Sequence, residues 1–250
     1  AGSVFHTGDW KLDADPVTGP AISDAGFKAV AKEQVLAMVC DSTNALDQGR
    51  SISEGALYAG LKQLVSDAPG RVVVGCFGSN VARLATLAQV ARDCGRYSGL
   101  LGRSLHTYHS AACEAGVWDD SLKFVDPSHL GFLPPEEVLA IATGSQGEPR
   151  AALTRLAADT HPDLNLQVGD TLLLSSRVIP GNEETVQALL RRLVDMGVTV
   201  VDDAELNFPI HASGHPCQDE LRDMYGWVQP RTAIPVHGEV SHMHANAGVA

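Results

Sequence analysis

Short apolar runs alternate with stretches of helical period along most of this chain, and that alternation restricts the fold more than any other feature. Residues 35–40, 71–77, 97–101, 138–142, 171–175 and 198–201 are short, largely apolar, strand-like runs. Their near-continuous apolar character is that of strands buried on both faces, which are parallel strands covered by helices. Between them lie helical patterns. Ser51 and Glu54 have capping-box spacing and predict a helix running to about Val65. Residues 79–94 carry apolar side chains at 81, 84, 87, 88 and 91, with Gly95 suited to the position after the helix end. Further helices are expected at 104–115, 149–158 and 182–196. The alternation predicts an α/β fold with a doubly wound parallel sheet over residues 53–205. The flanking segments, 1–52 and 206–250, hold most of the His- and Asp-rich loops.

A chain of 250 residues, 44% hydrophobic and 19% charged, has enough apolar side chain for one large core or two modest ones. Its longest apolar runs fall well short of the roughly 20 residues that cross a bilayer. No basic segment followed by an apolar stretch opens the sequence, so no secretory signal and no membrane partner are expected, and the odd number of widely spaced cysteines points to a reducing cytoplasm. The five cysteines (Cys40, Cys76, Cys94, Cys113, Cys217) include no CxxC pair, which suggests neither a disulfide framework nor a thiolate zinc site. A net charge of −12 argues against a broad nucleic-acid-binding surface. Any such contact has to be local or run through metal ions.

Four polar residues stand at or just after apolar runs, where the carboxyl end of a parallel sheet presents side chains to a cleft. They are Asp9 in His6-Thr-Gly-Asp9, Asp41 in Val39-Cys-Asp41, His215 in His211-Ala-Ser-Gly-His215, and His237 in Ile234-Pro-Val-His237. Singly, such an Asp is more often a turn former, and such a His a hydrogen-bonded structural residue. Jointly, two carboxylates and two imidazoles are the donors a hydrolytic zinc or manganese site uses.

Other candidates carry less. Gly75–Asn80 follows a strand but lacks the GxGxxG of a dinucleotide loop. Thr143–Glu148 is a glycine-containing loop whose backbone could cradle phosphate, without the Lys of a P-loop. His106, His109, His129 and His161 have no partner spacing and are expected at the surface. Cys217 has no base arranged beside it in sequence. Arg83, Arg103, Arg150 and Arg177 sit near the expected cleft loops, where each either pairs with phosphate or is a solvated or ion-paired surface group.

Six segments in order resemble the ribonuclease J family: His6–Lys11, Asp41–Ala45, Thr143–Pro149, Ile179–Glu183, Ser213–His215 and Pro235–Glu239. That family belongs to the β-CASP group of metallo-β-lactamase-fold nucleases, and the resemblance covers essentially the whole chain. It implies a metallo-β-lactamase αββα domain in two segments (1–52 and 206–250) with a β-CASP domain inserted at 53–205. It also implies hydrolysis of RNA phosphodiesters with two zinc ions, manganese being the other candidate, in 5′-to-3′ exonuclease and endonuclease modes. Position by position, Asp9 matches the aspartate that bridges the two metals, and His237 a ligand of the second. Asp41 and His215 match catalytic motif residues, and the loop His211, Ala212, Ser213, Gly214 and His215 the one that contacts the substrate phosphate. RNA is the implied partner, with a homodimer or homotetramer as the assembly.

The chain departs from the family in one respect. The HxHxDH motif that supplies the first metal's ligands is absent; His242-Met-His244 is the sole H-x-H, and only His242 matches a family position, while Asn246 stands where relatives often carry His. The expectation is therefore a fragment cut at both ends, inactive by itself, with a non-catalytic RNA-binding or scaffolding module as the alternative. Metallo-β-lactamase-fold hydrolases of thioesters or lactams lack an insertion like 53–205.

Overall fold

The computed structural model describes residues 2–250. In chain order the first elements are β1 (Val4–His6), α1 (Asp24–Ala31), β2 (Ala37–Asp41), α2 (Leu57–Asp67), β3 (Val72–Gly75) and α3 (Val81–Asp93). They are followed by β4 (Tyr97–Leu101), α4 (Arg103–Glu114), β5 (Val138–Ala142), α5 (Ala152–Ala157), β6 (Thr171–Leu174) and α6 (Glu183–Asp195). The last are β7 (Thr199–Val201), α7 (Gln218–Val228), β8 (Ala233–Val236) and α8 (Val240–Val249). The chain divides into two compact units. Unit one comprises the residues up to Pro16, Pro20–Ser53 and Ala212–Ala250; unit two comprises Val17–Gly19 and Glu54–His211.

Unit two is a five-stranded sheet in the order β4-β5-β3-β6-β7, parallel throughout. Every residue of β3, β5 and β6 is buried, as the unbroken apolar runs predict for strands covered on both faces. Val73, Ala140 and Leu172 pack with Leu153 and Leu156 of α5 and Leu189 and Leu193 of α6. Asn80 caps α3 by accepting from the Arg83 N–H at 2.9 Å. At the other end Gly95, with φ +68°, lets its own N–H reach the Arg92 carbonyl and the Arg96 N–H reach the Ala91 carbonyl. That is a Schellman closure, which a left-handed glycine permits without steric cost.

Several expectations for unit two change. The helix expected from Ser51 begins instead at Leu57, because both proposed cap residues have tertiary partners. Ser51 donates to Glu220, and Glu54 pairs with Arg83. Arg83 is not a surface group: it is 1% exposed and bonds Glu54, Ser175 and the Ile210 carbonyl. His161 is buried, and His109 packs edge-on against Trp118 and Phe124, so neither is the surface residue its spacing suggested.

Unit one is built on a three-stranded parallel sheet in the order β1-β2-β8. Its core gathers Val35, Met38 and Cys40 from β2 and its approach with Leu221, Met224, Tyr225 and Val228 of α7. Phe27 of α1 stacks on Trp227 at 5.8 Å. All three strands run the same way, so their carboxyl ends, at His6, Asp41 and Val236, share one edge.

Candidate functional site

That shared edge gathers Asp9, Asp41 and His237, and a loop brings in His215. Asp41 is the last residue of β2, with its side chain 1% exposed. Its Oδ1 accepts from the Thr43 N–H (2.9 Å) and hydroxyl (2.7 Å), and its Oδ2 lies 2.6 Å from His215 Nδ1. Asp9 follows β1 through a turn at Gly8, φ +62°, where the Gly8 N–H donates to His6 Nδ1. His237 follows β8 and is itself left-handed, φ +65°. A non-glycine residue held there costs on the order of 1–3 kcal/mol, and such strain concentrates at functional sites. The bend turns His237 Nδ1 to 3.3 Å from Asp9 Oδ1 and 3.5 Å from Asp41 Oδ1.

Ligand atoms of Asp9, Asp41, His215 and His237 all fall within 4.8 Å of one another. Two carboxylates and two imidazoles at that spacing fit a divalent metal that accepts N and O donors. One of the histidines is held differently. The Asp41 hydrogen bond to Nδ1 leaves Nε2 as the outward nitrogen of His215, whose ring lies edge-on to His237 at 5.4 Å.

The electrostatics of the Asp41–His215 pair favour the charged forms. The hydrogen bond that His215 Nδ1 donates to Asp41 raises the His215 pKa above its ordinary 6.5, against the opposing effect of burial. Burial would raise Asp41, but the hydrogen bonds from His215 and Thr43 outweigh it and hold the carboxyl below its ordinary 3.8. A raised histidine stabilises the fold below its unfolded pKa and loses that contribution as pH climbs through the folded value. A depressed carboxyl stabilises above its unfolded pKa and loses the contribution as pH falls through the folded value. The pair therefore supports unit one most between about pH 4 and 6.5. In the metal-free chain, histidine NMR is expected to show His215 titrating above 6.5 and Asp41→Asn bringing it to or below that value. An unchanged midpoint in Asp41→Asn would contradict the pairing.

The supporting residues were not assigned a role from sequence. Asn246, fully buried on α8, donates to the Asp41 carbonyl (2.9 Å) and the Ser42 hydroxyl (3.0 Å) and accepts from Tyr225. It fixes the backbone on which Asp41 stands. Asn44 donates to Ser213 Oγ (2.8 Å) and to the His215 carbonyl (3.2 Å), anchoring the loop that carries His215. Glu220, 0% exposed, accepts from the N–H groups of Leu12, Ser51 and Cys217 and from the Ser51 hydroxyl. The one signal available in sequence was its spacing three residues after Cys217, the capping-box position of α7.

The remaining loop residues differ in environment. Ser213 Oγ accepts from the His215 N–H, Ala212 is buried, and Gly214 has open space around it. His211 lies in unit two, and its Nδ1 is buried without a partner. Burial, aided by the Arg83 charge, lowers its pKa to about 4, so at neutral pH it is an uncharged ring.

Two family profiles match the chain. The ribonuclease J β-CASP domain matches residues 69–193, and the Zn-dependent metallo-hydrolase RNA specificity domain matches residues 204–247. Ribonuclease J of Sinorhizobium meliloti is 42% identical over 246 residues, covering 98% of this chain and 43% of the relative. Ribonuclease J of Mycolicibacterium smegmatis is 40% identical over 252 residues (100% and 45%), and that of Thermus thermophilus 37% over 241 (96% and 42%). The chain thus spans somewhat less than half the length of these relatives. With its parallel α/β unit matched by the β-CASP profile and the His- and Asp-bearing return segment by the second, this chain belongs to the ribonuclease J family.

Proposed function

We propose that the chain carries part of a metal-dependent centre that hydrolyses RNA phosphodiesters, as 5′-to-3′ exonuclease and endonuclease. The observation that carries this is the convergence of Asp9, Asp41, His215 and His237 within 4.8 Å at one sheet edge. When bound, two zinc ions supply charge stabilisation at the scissile phosphate and lower the pKa of water. Asp9 and His237 would hold the metal, Asp9 as a ligand common to both ions and His237 as a ligand of the second. His215, its pKa raised and its ring oriented by Asp41, gives its Nε2 proton to the leaving 3′ oxygen as general acid. Ala212, Ser213 and Gly214 hold the adjacent phosphate and set the register of cleavage. Unit one corresponds to part of a metallo-β-lactamase domain, unit two to the inserted β-CASP domain.

In this reading the protein acts on RNA in the cytoplasm as a homodimer or homotetramer, with manganese able to replace zinc on the same N and O donors. Four clustered donors among the described residues complete at most one four-coordinate zinc. The 250-residue chain by itself is therefore expected to leave RNA uncut, and that donor count favours a second reading for the isolated chain as an RNA-binding module.

An active ribonuclease carrying this chain should digest a 5′-monophosphorylated RNA, stop on chelation, and recover with zinc. Asp9→Ala should lower metal content and cleavage by more than the roughly 10–100-fold typical of an outer-shell residue. Undiminished cleavage after exhaustive chelation would contradict the proposal.

A further inference from the structure

A second group of cationic side chains lies wholly within unit two. A cavity of about 860 Å³ opens beyond the carboxyl ends of β4 and β5, and Arg103, Arg150 and Arg155 all line it. None of the three takes part in an ion pair among the described residues; the Arg155 guanidinium makes one hydrogen bond, to the Thr160 carbonyl at 3.3 Å. The carboxylate in the lining, Asp163, lies 4.0 Å from His161 Nδ1. In a chain with 18 basic and 30 acidic residues, three guanidinium groups against the single carboxylate of Asp163 around one cavity run against the average field.

We infer that this cavity is an anion site that takes the phosphates of a nucleotide. Guanidinium groups present paired N–H donors that match phosphate oxygens, and an unpaired set keeps that capacity available. Arg103 is also the first residue of α4, whose preceding Gly102 supplies no side-chain cap, so the first-turn N–H groups remain open to an anion at the same wall. That wall depends on Gly102. Its φ is +137°, and a Cβ there would sit 2.4 Å from Thr143 Oγ1, so glycine lets the start of α4 close on the loop after β5. The rings of His106 and Tyr108 line the same space and offer a stacking face to a base. The volume lies within the range of small-ligand clefts. The shared chemistry is a nucleoside phosphate, whether free or a unit of RNA; the geometry of unit two supports it without reference to the Asp9–His237 cluster.

The test is calorimetry on the 250-residue chain in chelator, with ADP and with a 5′-hydroxyl tetra-adenylate as probes. Arg103→Ala, Arg150→Ala and Arg155→Ala are each expected to weaken binding about tenfold or more, and Arg150→Lys to recover only part of it. Arg191→Ala on α6, outside the cavity, should match the unaltered chain. All three arginines are exposed, so their truncation spares the core; matching thermal melts check this. ADP binding tighter than tetra-adenylate identifies a free nucleotide as the source, and the reverse order identifies RNA. Absence of binding by both probes, or binding insensitive to all three alanine variants, would overturn the inference, even where the metal-dependent cleavage proposed above holds.

Discussion

Arg83→Met is expected to destabilise unit two by about 3–5 kcal/mol, the cost of removing one partner from a buried ion pair. Arg83 Nε and Nη2 donate to the two oxygens of Glu54 at 3.1 and 3.0 Å, and Nη1 donates to the Ser175 carbonyl at 3.0 Å, to the Ser175 hydroxyl and to the Ile210 carbonyl. Truncation removes the counter-charge of a carboxylate that is 7% exposed and takes a donor from two buried carbonyls. In a chain of this size that is roughly a 10 °C fall in melting temperature. The double replacement Glu54→Leu with Arg83→Met should regain most of it, because no charge is then left unpaired. Denaturant unfolding checks both. A single variant within 1 kcal/mol of the unaltered chain, by the same measurement, would contradict the pairing.

The legible and illegible parts of this fold divide by the range of the interactions that set them. β4 and β5 fall on the residues that their apolar runs predict, because burial on both faces leaves its mark in consecutive residues. The Gly95 helix end was equally readable, being a local conformational requirement. Ser51 and Glu54 misled because their spacing is local while their partners, Glu220 and Arg83, are 169 and 29 residues away. Helices α1 and α7 went unassigned in segments read mainly as His- and Asp-rich loops.

The candidate site shows the same division. Asp9, Asp41, His215 and His237 could be picked out because each ends an apolar run or follows a small residue. Their supports could not. Asn44 reaches a partner 169 residues away and Asn246 one 205 residues away, and although both stand at positions that the family resemblance covers, nothing in sequence names those partners. The left-handed turn at His237 is a backbone property that the Val-His-Gly order hints at only through its glycine.

The division of labour at this edge, with Asp9 and His237 as metal ligands and His215 as proton donor, is tested most directly by one preparation of His215→Ala in an active ribonuclease carrying this chain. RNA cleavage and bound metal are to be measured together. A general acid contributes about 10²–10⁴-fold, so cleavage should fall by that factor. Metal content should stay near that of the unaltered enzyme, since the Asp41 bond to His215 Nδ1 marks this ring as a proton carrier. Metal lost in proportion to activity would make His215 a ligand and remove the acid role.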